Sequence, residues 1–271
     1  MKQSVFSYID IRLRILGINI ANTFNIETAY PAENWANIIS TFFYVTSYLI
    51  FLRVIFGNVH TLAGYSYNDM LFFSFVGQFA FYTLYTWSYD NLEALVDSVH
   101  SGEMDLLLTK PLPTLFYVCT RKFTLVKLVR DAILPLLMIG ILIDWKALGL
   151  TPILLLGGFI VFVCGQWIMH VFQFLLALPA FWNGQSQALL RLCYTLTEPN
   201  IPLEGLPNFW RLFLTTLLPV SLSTAGAVSV ALGRGNAPLL VLWSITLAII
   251  ATFVRMFFWK KALAAYNSAS S

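Results

Sequence analysis

Long unbroken apolar runs, separated by short polar islands, fill nearly the whole chain. The apolar positions are continuous, not alternating with a period of two, which selects helices over a β-barrel. A spanning helix needs about 20 apolar residues. On that measure the pattern predicts spans over 35–56, 69–89, 120–143, 151–178, 182–198 and 237–259. The fifth is the weakest, being short and holding Gln185, Gln187 and Arg191. Residues 1–22 place Val5, Phe6, Ile9, Leu13, Leu16 and Ile20 at helical spacing with Lys2, Asp10, Arg12 and Arg14 between them. This reads as an amphipathic helix lying in the interface plane. Asn22–Asn34 is polar, holds Pro31 and reads as a connector. Residues 199–236 are half-apolar and punctuated by proline, with room for short helices over 206–218 and 221–233. Each is too short to cross and suits a re-entrant or surface position.

Composition supports this reading. The chain has 271 residues, 58% hydrophobic and 11% charged, with a mean hydropathy of +0.74. A soluble domain is about 25% charged, so the expected class is all-α integral membrane, with 1–271 as a single transmembrane domain. The net charge of +3 is small; its placement matters more. Lys2, Arg12, Arg14, Lys110, Arg121, Lys122, Lys127, Arg130, Arg255, Lys260 and Lys261 fall on the face of the termini and of the island at 90–113. Arg53, Lys146, Arg211 and Arg234 fall on the other. The positive-inside rule then puts both termini and the island in the cytoplasm. Lys127 and Asp131, four apart, can pair on one helix face. Cys119, Cys164 and Cys193 are scattered among apolar residues and read as small buried hydrophobes. His60, His100 and His170 lack metal-ligand spacing.

The sequence holds little catalytic chemistry. No GxxxxGK[ST] phosphate loop is present, and Gly233-Arg-Gly235 lacks the lysine and hydroxyl that phosphates and magnesium need. No HExxH pattern occurs. Asp69, Asp90, Asp131, Asp144 and Glu198 map near span ends, whereas proton relays use acids or histidines inside the membrane. His170 is the one titratable candidate there, and it reads as a hydrogen-bonded structural group. A membrane enzyme, and a secondary transporter or channel-like protein without an ATPase partner, are therefore the weaker alternatives. Energy for transport would enter from outside this chain.

The island DNLEALVDSVHSGEMDLLLTKPLP, residues 90–113, is the natural entry point. Leu92, Leu95, Val96 and Val99 lie at i, i+3, i+4 and i+7. Gly102 is placed to end that helix in a left-handed conformation. Glu103 and Asp105 suit the first turn of a following helix, and Pro111 and Pro113 stop it. The island reads either as a docking element or as an interfacial helix that stabilises the bundle. Phe79, Tyr82, Tyr85 and Tyr89 form an aromatic stripe, which packs the core or lines a path. Arg191 either snorkels to an interface or faces a polar pathway.

The order Gly102-Glu-Met-Asp-Leu-Leu-Leu-Thr-Lys-Pro-Leu, between a second and a third span, resembles the cytoplasmic loop of type-2 ATP-binding-cassette (ABC) exporter permeases. Asn200-Ile-Pro-Leu-Glu-Gly-Leu-Pro-Asn-Phe-Trp-Arg, followed by Leu-Leu-Pro219, is similar to that family's external stretch between spans five and six. The N-terminal amphipathic helix corresponds to its elbow helix. The resemblance covers essentially the whole chain, the polar fifth span being the departure. It implies a half-transporter in the bacterial inner membrane, exporting a lipid, glycan, drug or peptide. A second permease subunit, identical or homologous, would complete the pathway within membrane lipid. Two copies of an ABC ATPase would dock below and carry the ATP and magnesium, so this chain needs no cofactor and meets no nucleic acid. The implied coupling residues are Leu92, Leu95, Val96, Val99, Gly102, Glu103 and Asp105. Phe79, Tyr82, Tyr85 and Arg191 are candidates for the pathway lining.

Overall fold

The computed structural model describes residues 5–28, 31–111, 113–124, 127–183, 186–196, 202, 205–216 and 221–266. Helix α1 is Val5–Thr28 and α2 is Pro31–Asn58. Helix α3, Tyr67–Leu84, runs through a π-helical turn at Tyr85–Tyr89 straight into α4, Asp90–His100. Short helices α5 (Met104–Leu108) and α6 (Thr114–Val118) follow. A second π-turn, Leu128–Ala132, opens α7 at Ile133–Leu142. Then come α8 (Pro152–Ala177), α9 (Ala180–Asn183), α10 (Gln187–Leu196) and α11 (Asn208–Thr216). A third π-turn, Leu222–Gly226, leads into α12 (Ala227–Ala231), and α13 is Ala237–Ala265. The described residues contain no strand, only an isolated bridge between Leu62 and Tyr65. Among the described residues, three helical stretches are long and apolar enough to cross a membrane: Asn34–Asn58, Pro152–Trp182 and Ala237–Ala265.

Several boundaries differ from the sequence pattern. The polar connector expected at Asn22–Asn34 is mostly helix, because α1 continues to Thr28. Thr23 donates back to the Asn19 carbonyl (2.9 Å), and the Asn19 amide donates to the Thr120 carbonyl (3.2 Å). The third helical stretch begins at residue 127, not 120. Its π-turn sits just ahead of Pro135, whose ring clashes with the carbonyl four residues back. Lys127 pairs with Asp90 on the preceding helix at 2.9 Å, where the four-residue spacing suggested Asp131. The fifth stretch is broken into α9 and α10, and α10 spans only about 15 Å. Gln185 of this stretch, and Pro199–Ile201, Leu203–Glu204 and Leu217–Val220 of the external stretch, lie outside the described residues.

Two clusters mark the ends of the bundle. At one end Tyr65, Phe73, Ile139, Leu148 and Val228 pack together. There Arg234 bonds Asp69 at 2.7 Å, and Asn68 and the backbone of Asp144 bond each other twice. Ser66 and Asp69 form a reciprocal capping box at the start of α3. This end is called the distal face. At the other end the island packs with Phe174, Phe181, Trp259 and Ala262. The island and the C-terminal end of α13 thus share one face.

In lipid, helices associate through close packing of small residues and through polar groups, not through apolar burial. Helix α13 follows this rule: its buried side chains are Ser244, Arg255, Trp259 and Ala262, while Leu239, Leu242, Ile249, Phe253 and Phe257 face outward. Arg255 lies over the Trp167 and Phe174 rings at 5.0 and 5.2 Å and donates to Cys119 Sγ at 3.0 Å. Between the π-turn at Tyr85–Tyr89 and α8, Ser88 Oγ donates to Gln173 Oε1 (2.7 Å) and lies 2.8 Å from His170 Nδ1. A hydroxyl has one proton; given to Gln173, it leaves the oxygen to accept from His170 Nδ1–H. His170 is therefore a hydrogen-bonded structural group on this side of its ring, and among the described residues its Nε2 has no hydrogen-bond partner.

The segment from Leu222 to Ala231 is buried almost throughout and runs against α8. Gly158 meets Ala227, and Gly165 meets Ser223. Gly165 is thirteen residues below Pro152, about 20 Å down the helix. Helix α11 contacts the start of this segment, where Ser221 Oγ donates to the Leu214 carbonyl at 2.9 Å. Small residues make the contact with α8: a Cβ on Gly165 would sit 2.5 Å from the Ser223 backbone nitrogen. Gly165→Ala should therefore destabilise the protein by about 1–3 kcal/mol through overpacking. Gly57→Ala, with nothing within 4 Å, should be neutral or slightly stabilising. Melting temperatures of the two purified variants in one detergent test this; equal values would contradict the close approach.

Candidate functional site

The island is amphipathic, and its apolar side turns inward. Leu92, Leu95 and Val96 are 0% exposed. They pack on Met104, Leu107, Phe174, Leu190 and Trp259, with Val99 at the edge of the same cluster. Three of the four apolar residues singled out in the sequence are thus held by the chain's own helices. Gly102 has φ +75° and follows the last turn of α4, where Ser101 N–H donates to the Asp97 carbonyl. That left-handed position closes the helix at little cost only for glycine. It reverses the chain so that α5 folds back under α4, burying Met104 and Leu107. Glu103 stands at the start of α5 and Asp105 in its first turn.

The link back to the bundle, around 119–124, is not helical, so its polar backbone needs partners. Asn91, Thr124 and Arg121 hold it against the preceding helices. Asn91 clamps residue 122 from both sides, its amide donating to the Lys122 carbonyl and its oxygen accepting from the Lys122 N–H at 2.7 Å. Thr124 donates through both N–H (3.3 Å) and Oγ1 (3.2 Å) to the Thr86 carbonyl. That carbonyl lies in the π-turn at Tyr85–Tyr89, where the widened turn loosens the ordinary i+4 ladder. Arg121 is half-buried beneath α4 and donates to the Ala94 carbonyl and, at 2.7 Å, to Ser98 Oγ, with Glu103 at 4.0 Å. Burial pulls the Arg121 guanidinium below its ordinary pKa, and Glu103 opposes the shift. Asn91 and Arg121 carry the geometry, yet sequence patterning missed them: one looked like a polar island residue and the other like a topogenic charge.

What the island offers outward is a narrow rim. Asp97, His100, Ser101 and Glu103 are exposed, as are Leu106 (66%), Thr109 and Lys110. Asp97 is fixed by Gln187 of α10 at 2.7 Å, and Lys110 by the Tyr117 hydroxyl at 2.7 Å. The rim combines two carboxylates with two large apolar side chains, Leu106 and Leu108, on a rigid base. That arrangement can recognise another protein.

The aromatic candidates separate. Tyr85 stacks on Tyr89 (5.4 Å), and both lie against Tyr194 of α10 at 5.2 and 5.1 Å. Phe81 joins them at 5.0 Å, and Arg191, exposed on α10, hydrogen-bonds Tyr89. Tyr85 and Arg191 thus share one aromatic and cationic face. Phe79 is elsewhere, stacked on Phe162 of α8. Tyr82 is half-buried and edge-on to Phe81. The set that meets Tyr194 is Phe81, Tyr85 and Tyr89, spaced four apart, a register that the stripe beginning at Phe79 obscured. Among the described residues, no group of three or more His, Cys, Asp or Glu could hold a metal ion.

A family model described as "ABC-2 family transporter protein" matches residues 42–270, most of the chain and all of the site just described. Neither the curated proteins nor the solved structures contain a match.

The geometry separates frame from rim. Leu95→Ala opens a cavity under α4 and should cost about 2–5 kcal/mol. Arg121→Gln removes charged hydrogen bonds to α4 and should cost about 1.5–3 kcal/mol. Leu106→Ala, on the surface, should stay within about 0.5 kcal/mol of the native protein. Thermal unfolding in detergent checks the order; a Leu106 variant as unstable as the Leu95 variant would refute it.

Proposed function

The chain belongs to the ABC-2 transporter family, and we propose that it is the permease subunit of an ATP-driven exporter. In this reading the rim from Asp97 to Lys110 docks on a separate ABC ATPase. A second permease subunit, identical or homologous, completes the translocation pathway. The observation that carries it is the construction of the island. A polar segment between apolar helices is tied down by Asn91, Arg121 and Lys127, yet it leaves Asp97, Glu103 and Leu106 exposed. An element that only stabilised the bundle would not need such a rim.

The coupling residues divide by role. Leu92, Leu95, Val96 and Val99 anchor the island, Gly102 sets the reversal, and Glu103 meets the partner. Asp105, half-buried in the first turn of α5, supports it from the side. Force applied at the rim travels along a continuous helical path, because α4 is the direct extension of α3. The face formed by Tyr85, Tyr89, Tyr194 and Arg191 stands above the rim and lines the pathway in the dimer. Six spans, of which α9–α10 is the broken fifth, put both termini with the island in the cytoplasm. The excess of Lys and Arg on that face supports the bacterial inner-membrane orientation.

Partner and orientation are tested together. Coexpressed with its cognate ABC ATPase, the wild-type permease should retain that ATPase through purification. Leu106→Asp should lose it while membrane abundance is unchanged. A cysteine at Lys146 should react with an impermeant reagent on whole cells, and one at Ser101 only after permeabilisation. Full ATPase retention by the Leu106 variant, or labelling of Ser101→Cys from outside, would overturn the reading.

A further inference from the structure

Helix α10 runs antiparallel to the continuous α3–α4 helix, and contacts at two levels fix its register. Near the island Gln187 donates to Asp97 at 2.7 Å. Higher up, Tyr194 lies 5.1 Å from Tyr89 and 5.2 Å from Tyr85. Arg191 stands four residues beyond Gln187, and Glu93 four residues before Asp97. Each step is about one helical turn, so Arg191 comes to the level of Glu93. That rung of the ladder is open. Arg191, exposed on α10, reaches the Tyr89 hydroxyl instead. Glu93 is half-exposed, and among the described residues it has no hydrogen bond or ion pair.

The other charges around these rings are matched. Lys127 bonds Asp90 at 2.9 Å and lies over the Tyr85 ring at 5.0 Å. Asp131, in electrostatic range of Tyr85, is already engaged within the chain. The face therefore keeps one carboxylate and one guanidinium that are not bonded to each other. A singly charged molecule would meet one of them and be repelled by the other, and like charges brought together cost affinity. A neutral molecule would cover both without pairing either. A molecule with both signs satisfies both. Above the two charges Tyr89, Tyr85 and Phe81 climb toward the distal face, about 6 Å per step, with Tyr194 against all three. Phe81, Tyr85 and Tyr194 are only partly buried, so ring area remains for an apolar chain.

We propose that this face selects a zwitterionic amphiphile: its ammonium group meets Glu93, its anionic group meets Arg191, and its apolar chain lies along Tyr194, Tyr85 and Phe81. Glu93 and Arg191 are then the specificity-determining charges of the pathway. This substrate class rests on the reading of the aromatic face as pathway lining. The head group sits at the level of the island, so the molecule enters from the leaflet on that side.

The test uses the permease with its cognate ATPase in nanodiscs, titrated with three amphiphiles of equal chain length: dodecylphosphocholine, dodecyltrimethylammonium and dodecyl phosphate. Partitioning into the disc is common to all variants, so it cancels between them. The zwitterion should bind about tenfold tighter than either singly charged compound. Glu93→Gln should weaken dodecylphosphocholine about tenfold and strengthen dodecyl phosphate; Arg191→Gln should weaken it likewise and strengthen the cation. Neither side chain is buried, so both variants should fold. Affinities unchanged by either substitution would mean partitioning only and would overturn the proposal. Sensitivity to one substitution alone would overturn the zwitterion in favour of a singly charged molecule. ATP-dependent export of dodecylphosphocholine from proteoliposomes separates this proposal from the pathway reading. Charge-dependent binding without export would support the site and overturn the pathway. Export that ignores both substitutions would support the pathway and overturn the zwitterion.

Discussion

The structure depends on one apolar contact: Leu92, Leu95 and Val96 sealed against Phe174, Leu190 and Trp259. It joins helices that are distant in sequence and fixes the angle at which the island leaves the membrane. Burying three aliphatic side chains contributes roughly 1.5–3 kcal/mol each relative to exposure to water. The contact lies at the face where α8 and α13 end, so water is near enough for that term to operate. Deeper in the bundle, where lipid removes it, other means take over. Gly158 and Gly165 let backbones touch, and Ser88, Gln173 and His170 bond across helices.

The seal creates a second requirement. The chain must return from the island to α7 without a helix, and the exposed backbone of 119–124 must still find partners. The π-turn at Tyr85–Tyr89 meets that need. It offers the Thr86 carbonyl to Thr124, while Asn91 and Arg121 hold the neighbouring residues. The same turn aligns Tyr85 and Tyr89 on Tyr194. The irregularity therefore links the strap of the island to the aromatic face, and a displacement at one would be felt at the other.

Much of this was legible in the sequence. The all-helical class, the left-handed Gly102 and the structural character of His170 all follow from pattern and residue chemistry. The coupling face was ambiguous, because an i, i+3, i+4, i+7 stripe shows that a face is buried but not against what. Here it is buried within the chain, which leaves the exposed residues, Leu106 among them, free of that packing. The straps were hidden for a different reason. Asn91 and Arg121 act on backbone atoms about thirty residues away, and no local period records such a bond. The break at α9–α10 and the π-turns were likewise out of reach, since no local hydrophobic period records them.

The central claim is that a rigid internal frame presents a separate outer rim to a partner ATPase. Photo-crosslinking in intact membranes tests it most directly, with a photoreactive residue at Leu106 in one variant and at Leu95 in another. The account predicts a crosslink to the ATPase from position 106, and from position 95 only crosslinks within the permease. Crosslinking to the ATPase from position 95, with none from position 106, would contradict it.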